Sequence, residues 1–122
     1  MSVLQHATEL QQMMGQGQMM EAFEKFYHED VKVTEMPSGE VRNGKAAQRA
    51  AIDQWQKMVT EVHGGGLESI TANEESGHAA VESWIDVTFA EGGRMKMQEV
   101  AIQKWENGQI IEEKFYYNMP GK

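Results

Sequence analysis

The stretch MQEVAIQKWENGQIIEEKFYY (Met97 to Tyr117) decides the fold, because it holds a whole hairpin: a strand to Trp105, the turn Glu106-Asn107-Gly108 and a second strand from Gln109. A three-residue turn with Gly108 in the left-handed region sets Trp105 opposite Gln109 and Glu99 opposite Phe115. Upstream, His78 to Ala90 is another strand pattern, joined to Arg94 to Trp105 through Ala90-Glu91-Gly92-Gly93. Read as a four-residue loop, that connection places Phe89 opposite Arg94 and Trp84 opposite Glu99. Both connections are too short for crossovers, so the three strands form an antiparallel meander, preceded by a short strand near Leu67 to Thr71.

This register predicts three lateral rows on one face, with strands about 4.8 Å apart. They are Glu82, Ala101 and Glu113; then Trp84, Glu99 and Phe115; then Asp86, Met97 and Tyr117. Carboxylates alternate with aromatics there. The opposite face carries Val81, Ile85, Val87, Val100 and Ile102, which is apolar enough to need cover. Helices can cover only one face, so the other is expected to meet a second copy of the sheet in a homodimer.

The helices come first. Ser2 with Gln5 is a capping box, and Val3, Ala7, Leu10 and Met14 repeat at helical spacing until Gly15 and Gly17. A second helix carries Met19, Ala22, Phe23 and Phe26 and passes into a strand at Val31 and Val33. After the break at Pro37-Ser38-Gly39, a third helix shows Ala51, Trp55, Met58 and Val62 on one face, and Gly64-Gly65-Gly66 is expected to end it. Helices followed by a meander make an α+β domain, with the helices packed on one face of a curved, mainly antiparallel sheet.

The chain has 122 residues, 19 Asp and Glu against 11 Lys and Arg, and a formal net charge of -8, which suits one domain and argues against nucleic acid as a partner. With no cysteine there is no thiol catalysis or thiolate metal site, and a reducing cytoplasm is the simpler home. The first ten residues, MSVLQHATEL, show no signal-peptide pattern, and no apolar run approaches membrane-spanning length. Phosphate loops, dinucleotide fingerprints and serine nucleophile elbows are missing, so no cofactor is expected. His63 with Glu82, Glu99 and Glu113 has ligand chemistry but no metal-binding spacing, and no metal is expected either.

The order of elements and the segments FYHEDVKVTE (Phe26 to Glu35), RNGKAA (Arg42 to Ala47) and Met97 to Tyr117 resemble the NTF2-like superfamily, and within it the SnoaL-like domain proteins. The resemblance covers nearly the whole chain. It implies a cone in which a bent sheet wraps the long helix around a central cavity, often dimerising sheet to sheet. Among the ketosteroid isomerases of this superfamily, the general-base carboxylate ends the first strand and matches Glu35. The helical tyrosine of their oxyanion hole falls at about Gln11 and its companion carboxylate at about Ala101, so both donors are missing and their isomerisation is not expected in that form. The SnoaL polyketide cyclases place an acid/base aspartate on a sheet strand, for which Glu99 is the nearest candidate.

From the residues themselves, a carboxylate beside Trp84 and Phe115, with Glu82, Glu113 and Asp86 near it, is expected to hold its proton above the usual range. Glu99 and Glu35 are therefore the candidate catalytic pair for proton transfer, as in isomerisation, dehydration or aldol cyclisation. Trp55, His63, Glu82, Trp84, Asp86, Met97, Glu113, Phe115 and Tyr117 are the candidate ligand-binding set. Glu35 pairing with Arg42 or Lys45, and His63 capping the third helix, are the structural alternatives; His6 and His28 are expected to be exposed on their helices. The same lining suits a non-catalytic module that binds a small cationic or hydrogen-bond-donating ligand, or a dimeric interaction module.

Overall fold

A computed structural model of the chain describes residues 2–118. The capping box forms as expected: Ser2 Oγ accepts from Gln5 N at 3.0 Å and Gln5 Oε1 accepts from Ser2 N at 2.7 Å, starting α1 (Val3–Gly15). Two further backbone donors of that first turn, on Val3 and Leu4, bond the Glu74 carboxylate at 2.8 and 3.1 Å. The free amides of a helix start suit an anion, so Glu74 both caps α1 and ties it to a turn far along the chain. α2 (Met19–Phe26) follows, then β1 (Tyr27–Glu35), a short β2 (Glu40–Asn43), α3 (Lys45–Met58), β3 (Val59–Asn73), β4 (His78–Phe89), β5 (Gly93–Glu106) and β6 (Gln109–Tyr117).

The six strands form one sheet in the order β2-β1-β6-β5-β4-β3, antiparallel throughout except for the parallel β1–β6 pair. α3 touches β1, β2 and β3, strands from both ends of the sheet, so the sheet curls around this helix and the helices fill its concave face. The core sits at one end of that concavity, where Leu10, Phe23 and Phe26 meet Val31, Val33, Trp105 and Ile110. Burying each phenylalanine contributes about 1.5–3 kcal/mol. His6 is not an exposed helix residue: it is half-buried, its ring stacked on Trp105 with centroids 5.7 Å apart. His28 lies on β1, where its Nδ1 accepts from Asp30 N.

The meander is present, but both hairpins differ from the expected register. The β4–β5 turn holds three residues, with Phe89 opposite Gly93. Gly92 and Gly93 both take positive φ, at 110° and 79°, and this tight reversal takes one residue out of the loop. The β5–β6 turn holds only Asn107 and Gly108, with φ of 52° and 77°, the twist a two-residue hairpin favours. A bulge then leaves Ile111 unpaired between Trp105↔Ile110 and Lys104↔Glu112. A shift of one residue between β4 and β5 exchanges faces, whereas the combined shift of two between β5 and β6 preserves them.

α3 ends at Met58, not at the glycine triplet, and β3 runs for 15 residues through it. The β-branched Val59, Thr60 and Val62 favour extended backbone at that point. The glycines serve packing: a Cβ at Gly64 would sit 3.4 Å from the Trp84 ring, and one at Gly66 only 2.5 Å from its Nε1. Trp84 lies across the strand where these side chains are missing, with the Lys96 ammonium 4.7 Å from its ring centroid. Gly66→Ala is therefore expected to lower stability by about 1–3 kcal/mol in denaturant titration. Gly15→Ala, where nothing lies within 4 Å of the new methyl group, should stay within about 0.5 kcal/mol of wild type.

Candidate functional site

With the register established, strand alternation dictates which side chains share the concave face. One row runs Ser83, Glu99 and Tyr117; the next Val81, Ala101, Phe115 and Glu35; the third Ala79, Gln103, Glu113, Val33 and Arg42. Glu35 enters this face because β1 lies parallel beside β6, with Glu35 opposite Phe115. Three carboxylates, on three different strands, thus converge under the helices.

Glu113 is the most deeply buried, at 1% exposure. The Tyr27 hydroxyl donates to its Oε1, and Gln103 Nε2 donates to its Oε2 at 2.9 Å. Gln103 Oε1 in turn accepts from Trp105 Nε1 at 3.1 Å. Burial pushes the Glu113 carboxyl up to about 7, with the two donors pulling the other way. Burial and the adjacent Glu113 charge hold the Tyr27 hydroxyl well above the usual tyrosine range.

Glu35 belongs to a second set of contacts. Its Oε2 accepts from Arg42 Nη2 at 2.5 Å, while the same guanidinium donates to Glu40 at 3.0 Å and to Gln48 Oε1 at 2.8 Å. Burial works against the Arg42 charge, but the bonds to Glu35 and Glu40 outweigh it and strengthen its hold on the proton. Tyr117 is half-buried; burial first, then the neighbouring Glu35 carboxylate and the charge of Glu99, raise its hydroxyl above the ordinary value. Each of the three guanidinium nitrogens of Arg42 thus has a protein acceptor.

Glu99 lies in the first row, one row out from Glu35 and two from Glu113. Burial, followed by the charges of Glu113 and Glu35, raises its carboxyl to about 7. Chemically, this is a side chain able to be acid or base near neutrality, beside a fixed tyrosine and a fixed anion.

Of the residues expected in the site, Glu35, Met97, Glu99, Glu113, Phe115 and Tyr117 lie on this one face. Trp55 projects from α3 edge-on to Phe89, with centroids 5.4 Å apart. Glu82, Trp84 and Asp86 lie on the opposite, convex face, a correction that follows directly from the one-residue shift of β4. Asp86 there makes a two-pronged pair with Arg94, both contacts 3.1 Å, which lowers its carboxyl below the usual range. His63 is in β3 and not at a helix end; its Nε2 is 2.6 Å from Thr88 Oγ1 on the convex side. The apolar face is likewise redrawn: Val81, Ile85 and Val87 point inward with Glu99, and Val100 and Ile102 point outward.

The sequence reading missed Tyr27 and Gln103. A signal for Gln103 was present, since a polar residue four positions from Glu99 falls on the same face, between Ala101 and Trp105. Tyr27 gave none, because it stands at the joint of a helix and a strand. Two shallow surface hollows lie elsewhere, one along α1 at Leu4, Thr8 and Gln12, the other on the convex face at His78, Ile102 and Lys114. Among the described residues no group of His, Asp and Glu side chains has the geometry to hold a metal.

The burial of Glu99 has a measurable consequence. Folded Glu99 keeps its proton up to about pH 7, whereas the unfolded group loses it near 4.5, so the native state binds more protons in that window. Stability from this group is therefore full below about pH 4.5 and falls as pH rises through 7. Glu99→Gln removes that loss, so the variant should gain about 1–3 kcal/mol on wild type between pH 5 and 8, read from melting temperatures across the range. Coincident profiles would mean a solvated carboxylate.

Comparison with known proteins matches this architecture. Residues 1–117 match the family model described as the SnoaL-like domain. No curated protein matches the chain. A solved protein from Mesorhizobium loti, provisionally named a SnoaL-like polyketide cyclase [carbohydrate phosphatase], is 35% identical, with 96% of this chain and 100% of that one covered and a TM-score of 0.86. A provisionally named isomerase from Bacillus subtilis shares the fold at 18% identity and a TM-score of 0.80, covering 97% of this chain and 90% of that one. A ketosteroid isomerase-like fold from Catenulispora acidiphila, solved in complex with trimethylamine, aligns at 12% identity and a TM-score of 0.69, over 80% of this chain and 74% of that one. Sequence match and architecture agree: the chain belongs to the SnoaL-like family and has the NTF2-like, ketosteroid isomerase-like fold.

Proposed function

We propose that the concave face is a small-molecule site for proton-transfer chemistry of the isomerase, cyclase or dehydratase type, with Glu99 as the group that carries the proton. The observation that carries this reading is the position of Glu99, poised near neutrality at the more exposed end of a buried carboxylate cluster. An acid/base with its midpoint close to the working pH is the most effective proton carrier. Ionised Glu99 takes a proton from carbon beside a carbonyl and returns it at another carbon. Glu35, held by Arg42, lies near Tyr117, whose hydroxyl we assign to the substrate oxygen.

Charge narrows the substrate. Arg42, the only cation bonded to the cluster among the described residues, is committed to Glu35, Glu40 and Gln48. Two carboxylates already balance its charge in a cluster rich in acidic groups, which disfavours an anionic substrate and favours a neutral or cationic one. The trimethylamine bound by the Catenulispora acidiphila relative favours a second reading, in which the same carboxylates hold an organic cation without turning it over. The convex face, with Ala80, Trp84, Val100, Ile102 and Tyr116, is the surface we assign to homodimerisation.

One experiment separates the two readings. Enolisable ketones incubated with the protein in D2O should lose their C–H signals by NMR, at a rate reduced about 100-fold or more in Glu99→Gln. If no ketone exchanges while trimethylammonium raises the melting temperature of wild type and not of Glu99→Gln, the binding reading replaces the catalytic one.

A further inference from the structure

The cluster contains two buried carboxylates, Glu99 and Glu113, and only one of them faces a substrate in the reading above, on which this inference rests. Hydrogen-bond polarity decides which of the two gives up its proton first. An indole N–H can only donate, so Trp105 fixes the Gln103 amide with its oxygen toward the indole and its NH2 group toward Glu113. Gln103 can therefore only donate to Glu113 Oε2. Tyr27 supplies the donor on Oε1. Both oxygens of Glu113 are met by donors, the arrangement an ionised carboxylate prefers.

Protonating Glu113 breaks this pattern. The new proton has no acceptor at Gln103, and at Tyr27 it would turn the phenol into an acceptor and strand the phenol's own hydrogen in a buried site. Glu99 has no such constraint, because among the described residues no side-chain donor is bonded to its carboxylate. The other groups facing the pair are Glu35 on β1, whose charge disfavours ionisation of both carboxylates, Arg42 on β2, and Tyr117 on β6. α1 contributes only His6, on Trp105, and α3 only the uncharged Gln48.

We infer that Glu113 is a positioning residue for Glu99: the relay Trp105, Gln103 and Tyr27 makes Glu113 the first of the two to ionise, and its buried charge then keeps the proton on Glu99. The buried anion thus holds the Glu99 midpoint near neutrality, where its ionised form takes the proton from carbon and its protonated form returns it. The Tyr27 hydroxyl, outside the substrate row, sets the order of the two ionisations without touching the substrate.

Titration of side-chain carboxyl carbons by NMR tests this without any substrate. In wild type, the Glu99 midpoint should lie near 7 and above that of Glu113. Glu113→Gln removes the neighbouring charge and should lower the Glu99 midpoint by about one unit. Tyr27→Phe removes one donor, so Glu113 should hold its proton longer and the order of the two midpoints should reverse; this variant carries the test if Glu113→Gln does not fold. A raised Glu99 midpoint that moves in neither variant overturns the relay and leaves the proposed function standing. A wild-type Glu99 that titrates near 4.5 overturns both.

Discussion

A carboxylate at the bottom of a protein core costs several kcal/mol unless its oxygens are bonded, and Glu113 sets that condition for everything around it. Tyr27 from β1 and Gln103 from β5 supply the bonds, so the last strand is held between one parallel and one antiparallel neighbour by side chains as well as by the backbone ladder. The same contacts hold the first strand in register, which carries Glu35 into the concave face beside Tyr117. Fold and site share one polar core.

The acidity of the chain has two different meanings in two places. Most of its carboxylates are solvated or paired at the surface, as with Glu24 and Arg49 or Asp86 and Arg94. Exposed pairs of this kind contribute little to stability. Glu99 and Glu113 are the reverse case, where burial and the charges of neighbouring carboxylates turn ordinary side chains into groups that respond near neutral pH.

Much of this was legible in the sequence, because two-residue alternation is robust to even errors. The β5–β6 hairpin was misjudged by two residues, one at the turn and one at the Ile111 bulge, and Glu99, Glu113, Phe115 and Tyr117 still fell on one face. The β4–β5 hairpin was misjudged by one, and Glu82, Trp84 and Asp86 changed sides. Nothing local distinguishes a three-residue from a four-residue turn in Ala90-Glu91-Gly92-Gly93, since either uses glycine with positive φ. The glycine triplet misled for a similar reason: three glycines read as a break, while the cause of their presence, the Trp84 ring, lies on another strand. Tyr27 became visible only once the parallel β1–β6 pair set it beside β6.

That parallel pair also bears on how the molecule comes into being. β1 is the first strand of this sheet in the chain, yet its partner β6 is the sixth, and the Tyr27 to Glu113 contact spans 86 residues. The capping of α1 by Glu74 likewise waits for a turn about 70 residues downstream. Until β6 is in place, β1 exposes an unpaired edge and a tyrosine without its acceptor, and such edges are sticky. The carboxylate cluster therefore cannot close before β6 takes its place between β1 and β5.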